Sequence, residues 1–196
     1  MKYILLFIFS LLLCPAVVDA QASKNHAKIG FITGWGGQLY PFIDVNYEHQ
    51  VVFAQLQYFH SLVERKNMSI ELLWQPQYNF TRYKLFDNRP DRTFGTEAGL
   101  NIGFLLAYRT KEDRLKAYIL PSIGPHYISG GPKRQSPGFL FSDNILFGLQ
   151  IKLAEAYWLD LRPGLRHISS AGLTKRNGGI NHAILTAGFI WMVKKG

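Results

Sequence analysis

Residues 94–109 read FGTEAGLNIGFLLAYR, and the order of their apolar and polar residues decides the fold. Phe94, Thr96, Ala98, Leu100, Ile102, Phe104, Leu106 and Tyr108 share one face. Gly95, Glu97, Gly99, Asn101, Gly103 and Arg109 share the other. A period of two is the mark of a strand, and this one outruns the usual five or six residues of a globular sheet. Residues 115–128 repeat the pattern, with Leu115, Ala117, Ile119, Pro121, Ile123, Pro125 and Tyr127 against Lys116, Tyr118, Ser122, Gly124 and His126. Residues 139–153 do so again, and only Asp143 interrupts their apolar face. An apolar face outside and Glu, Asn, Gln, Lys, Arg and Gly inside is the inverted pattern of a transmembrane barrel.

Working outward from these segments, eight strands are expected at 28–37, 49–60, 68–80, 94–109, 114–128, 138–153, 157–169 and 180–193. The fold class is therefore all-β, an eight-stranded antiparallel outer-membrane barrel with side chains filling its interior. Turn-forming stretches at Asp87-Asn88-Arg89-Pro90, Lys111-Glu112-Asp113 and Gly130-Gly131-Pro132 separate strands. Tyr40, Tyr78, Tyr108, Tyr127, Trp158 and Trp191 stand near strand ends, where interfacial aromatic girdles form. Gln50–Lys66 is the ambiguous segment, since VVFAQLQYFHSLVERK also passes for a helix. Gly34-Trp35-Gly36-Gly37 reads as a turn at the rim. His26, His49, His60 and His126 show no metal-ligand spacing and read as barrel or loop residues.

The first twenty residues carry Lys2, an apolar run Ile4–Leu13, a break at Pro15 and small residues up to Ala20. They read as a secretory signal peptide cut after Ala20, leaving 21–196 as a single barrel domain. The only cysteine, Cys14, leaves with the signal, so neither a disulfide nor a thiolate metal site is available. The formal charge of +9 suggests an anionic partner such as lipid phosphates. Nucleic acid is the poorer choice for an exported chain.

One stretch invites chemistry: residues 166–182, RHISSAGLTKRNGGINH. By phase, Leu161, Pro163, Leu165, His167 and Ser169 face lipid, while Arg162, Gly164, Arg166, Ile168 and Ser170 face inward. Polar groups turned toward hydrocarbon are costly without a partner. Residues i and i+2 of a strand are same-face neighbours, so the imidazole can reach the serine hydroxyl and take its proton during attack on an ester. His-x-Ser by itself is no motif, and such residues at a strand end usually meet water or headgroups.

The wider string LRPGLRHISSAGLTKRNGGIN resembles the lipid A 3-O-deacylase (PagL) family, whose signature runs RHxSNAG…PNxGxE/N. Arg166, His167, Ser169, Ala171, Gly172, Asn177, Gly179 and Ile180 stand in matching places, and Glu71–Asn79 is similar to an upstream family segment. The resemblance implies an outer-membrane serine esterase that removes the 3-O-linked acyl chain of lipid A, the lipid anchor of lipopolysaccharide. It implies no metal and no cofactor. By match, Ser169 is the nucleophile, His167 the general base, and Asn177, Gly172 and Ser170 form or support the oxyanion hole. Two positions depart: Ser170 replaces a frequent Asn, and Asn181 stands where the family's triad places Glu. Asn181 shares the lipid-side phase of Ala183, Leu185, Ala187, Phe189 and Trp191, whereas His182 points inward and Glu97 is inward too. Asn181 is thus the third member, able to orient a histidine but not to balance its charge. The competing readings are a non-catalytic relative with a structural or lipid-binding role, and a soluble exported sandwich. A monomer and a homodimer both stay open.

Overall fold

The computed structural model describes residues 26–38, 47–86 and 91–194. The expected signal peptide, Cys14, Tyr40 and the Asp87–Pro90 turn lie outside them. The described residues form eight strands: β1 (His26–Gly37), β2 (His49–Arg65), β3 (Met68–Tyr83), β4 (Thr93–Arg109), β5 (Leu115–Ile128), β6 (Gly138–Ala154), β7 (Tyr157–Ser169) and β8 (Ile180–Lys194). Each strand pairs antiparallel with the next, and β1 pairs with β8 to close the barrel. Closure leaves no edge with unpaired backbone, the condition for strands that cross a membrane. Phe94, Phe104, Leu106 and Tyr108 are exposed on the outer wall, and Glu97, Asn101 and Gly103 are buried within.

The segment that also suited a helix is a strand, β2. Its alternation fails near its end because a bulge lies between Ser61 and Val63, and an extra residue shifts the phase. Gly34–Gly37 is not a rim turn but the end of β1. Gly34 lies where a Cβ would fall 2.2 Å from the Leu185 carbonyl oxygen, so a bare backbone is needed for β1 to meet β8. Trp158 is not part of a girdle. It points inward beneath Lys116, whose Nζ lies 5.0 Å from a Trp158 ring centroid. Tyr78, Tyr108 and Tyr127 do face outward.

The interior is a packed mixture rather than a polar channel, because eight strands leave room only for side chains. Phe53, Phe59, Leu73, Leu105, Leu120 and Ile190 belong to one apolar cluster, and Tyr47, Ile128, Leu140, Ile168 and Ile180 form a second. Charged groups between them are paired. Arg162 meets Asp160 at 2.5 Å, and Arg166 meets Glu97 at 2.7 Å. Removing one member leaves the other as an uncompensated buried charge. Glu97→Ala is therefore expected to cost about 3–5 kcal/mol. The check is the urea concentration at which the heat-modifiable folded band disappears from a gel, which should fall.

The connections at the two ends differ. Residues 66–67, 110–114 and 155–156 make short links at the end that also holds both chain ends of the barrel. Residues 38–48, 84–92, 129–137 and 170–179 make the longer links opposite. Short links are periplasmic and long ones extracellular in outer-membrane barrels. The loop end of β7 thus lies on the outer-leaflet side.

Candidate active site

β7 carries His167 and Ser169 in its last turn of alternation, and both are half-buried on the outer wall. Their inward neighbours Arg166 and Ile168 are buried, so the phase puts the polar pair toward lipid. Across the β7–β8 ladder His167 is paired with Asn181. The imidazole Nδ1 and the Asn181 Oδ1 lie 2.6 Å apart. A carbonyl oxygen only accepts, so the proton sits on Nδ1 and leaves Nε2 as the basic nitrogen.

The backbone explains the closeness. Tyr47 Oη accepts the Asn181 N–H at 2.8 Å and donates to the Asn181 carbonyl at 3.4 Å. Both polar groups of Asn181 thus point away from β7. His167 and Asn181 are then a non-hydrogen-bonded pair, the type whose side chains approach most closely. Tyr47 lies ahead of β2, outside any strand alternation, and nothing in the sequence pattern announces it.

Gly179 presses on the same ring. It has φ +67°, and a Cβ there would fall 2.5 Å from His167 Cε1. Its N–H is held by Gln135 Oε1 at 3.1 Å. The loops 129–137 and 170–179 are zipped together by Gly178 N–H to Arg134 O and Ser136 N–H to Arg176 O, both 2.9 Å. Arg134 also donates to the Gly178 carbonyl. The basic residues Lys133, Arg134, Lys175 and Arg176 are all exposed on this clasp.

The remaining expected residues are placed less directly. Asn177 Oδ1 accepts the Ser170 N–H at 2.7 Å. Ser170 is buried, and its hydroxyl lies 2.9 Å from that of Thr174, so it braces the loop. Gly172 sits in the same loop at φ +88° and is exposed. Among the described residues Ser169 Oγ has no hydrogen-bond partner. Glu97 and His182 lie inside. His182 Nε2 is 2.9 Å from His49 Nδ1, and Glu97 binds Arg166, so neither reaches the outer row.

A groove of 690 Å³ opens on the outer wall beside this row. Phe104, Pro121, Ile123, Ile145 and Leu165 line it with apolar surface, and its polar lining includes Asp143, His167 and Asn181 on the outer wall with Arg166 and His182 behind them. It is a size that suits a small ligand or one chain of a lipid. Asp143 was visible in the sequence only as a break in an apolar face.

Comparison with known proteins agrees with this architecture. The model of the lipid A 3-O-deacylase (PagL) family matches residues 42–189. The crystal structure of the outer membrane enzyme PagL is similar, with a TM-score of 0.59 and 20% identity over 83% of this chain and 98% of that one. Neisserial surface protein A gives a TM-score of 0.45 and 15% identity over 87% and 97%. OprG from Pseudomonas aeruginosa gives 0.44 and 10% over 90% and 100%. No curated protein matches the chain. The closed barrel with its apolar outer wall is an outer-membrane barrel, and the family match spans most of its length: the chain belongs to the lipid A 3-O-deacylase (PagL) family.

Proposed function

We propose that this barrel is a serine esterase that releases the 3-O-linked acyl chain of lipid A. The observation that carries the reading is the outward-facing row of Ser169, His167 and Asn181 beside an apolar groove. A site that faces lipid selects a lipid, and the ester bonds of lipid A lie at the headgroup boundary of the outer leaflet. Ser169 Oγ bonds to the ester carbonyl carbon while its proton passes to His167 Nε2. The carbon–oxygen bond to the sugar then breaks, and the imidazolium returns the proton to the departing 3-hydroxyl. Water, deprotonated by the same histidine, hydrolyses the acyl-enzyme and frees the fatty acid. Asn181 holds the ring in the needed tautomer. Asn177 Nδ2 and the Gly172 N–H are the donors we assign to the oxyanion, with Ser170 as their support.

Ser169 must swing to meet His167 when substrate arrives, as catalytic contacts often close only in the complex. Mass spectrometry of lipid A from cells expressing the chain should show loss of one 3-linked acyl mass. Unchanged lipid A, with the barrel present in the outer membrane, sinks the reading. Gly179→Ala should keep the fold and lower kcat by about 10²-fold, since a misplaced base costs about that much; steady-state kinetics in detergent would check it.

A second reading, a non-catalytic barrel that binds lipid, draws on the neutral Asn181 and the unbonded Ser169. It predicts lipid A binding without turnover.

A further inference from the structure

His167 has a neighbour on each side. β7 pairs with β8 through His167 and Asn181, and with β6 through His167 and Asp143. The register therefore sets Asp143, His167 and Asn181 in one line across three strands. All three line the same groove. Asp143 faces outward among Phe139, Ile145, Phe147 and Leu149, which are exposed on the lipid side. Among the described residues its carboxylate has no ion pair and no hydrogen bond. An ionisable group on a lipid-facing wall is costly and marks function by default. Among the described residues the groups beside it are Ile123 and His167 across its two ladders, and Phe141 and Ile145 along its own strand.

We propose that Asp143 is a positioning residue that supplies, from the β6 side of His167, the negative charge that Asn181 cannot supply from the β8 side. The inference rests on the esterase reading. Transfer of the Ser169 proton makes an imidazolium between a neutral amide and a carboxylate. Asn181 fixes the ring by accepting Nδ1–H, and Asp143 stabilises the charge through space. Because Asn181 turns its backbone away from β7, the backbone of His167 turns toward β6. Asp143 and His167 form the wider, hydrogen-bonded type of pair, with Cα atoms about 5.5 Å apart. Among the described residues no hydrogen bond joins the two side chains, yet the pairing holds them near enough for a strong field in a water-poor site. The two duties of one triad acid, orientation and charge, are divided between two strands.

The test uses the full-length barrel in detergent micelles and two readouts. One is the rate at which a fluorophosphonate probe labels Ser169, and the other is lipid A deacylation followed by mass spectrometry. Asp143→Asn should lower both the labelling rate and kcat by about 100-fold, with KM little changed and heat-modifiable migration kept. Asp143→Leu repeats the test with a residue suited to hydrocarbon. Adding Asn181→Glu to Asp143→Asn should restore most of the rate, which a packing role for Asp143 does not predict. Wild-type rates in Asp143→Asn, or a loss that Asn181→Glu does not restore, overturn the inference. A native chain that labels but leaves lipid A intact overturns the substrate reading alone, and the labelling rates still decide the part played by Asp143. A chain that does neither overturns both.

Discussion

Ser169→Ala is expected to abolish acyl release while the barrel still folds and shifts its migration on heating. Removing the nucleophile of a hydroxyl–imidazole pair costs about 10⁴–10⁶-fold in kcat, because the residual rate comes only from binding and oxyanion stabilisation. Structural damage should be slight, since among the described residues Ser169 Oγ has no hydrogen-bond partner to lose. The residue is half-buried on the outer wall, and alanine suits that surface. Lipid A from cells carrying the variant should match that of cells without the barrel. Acyl release at the native rate would remove Ser169 from the mechanism.

His167→Ala should be as damaging as Ser169→Ala, and the double variant should be no slower than either single one. Such non-additivity identifies residues that work as one unit. It also separates a base from a binding residue, whose loss would add to that of the serine. Asn181→Ala should cost less, because the ring keeps Gly179 against it and only the Nδ1 contact is lost. Single-turnover kinetics with the purified variants would rank the three. A double variant slower than both singles by the product of their losses would mean that His167 and Ser169 act separately.

Much of this was legible in the chain itself. The period of two over residues 94–109, 115–128 and 139–153 is a direct print of the barrel wall, since every second side chain must meet lipid. The same phase put His167, Ser169 and Asn181 on one face and His182 and Glu97 on the other. What stayed hidden depends on how strands are set against each other. Asp143 is only a blemish in one strand until the register of β6 against β7 brings it beside His167. Tyr47 precedes its strand and reaches Asn181 through a loop end. The bulge between Ser61 and Val63 scrambled the period of β2 and made it pass for a helix. The apolar lumen around Leu105 and Leu120 was unexpected for a different reason. In so narrow a barrel, volume decides the inward face more than polarity does.

The Arg166–Glu97 ion pair and the His49–His182 contact lie directly behind His167 and Asn181. Arg166 is the residue next to His167, and His182 the one next to Asn181. The wall between lumen and lipid is a single backbone thick. His167 and Asn181 are thus each joined along their strand to a neighbour anchored among the buried side chains of the lumen. The aim of the outward imidazole is therefore set in part by bonds made on the inside of the barrel.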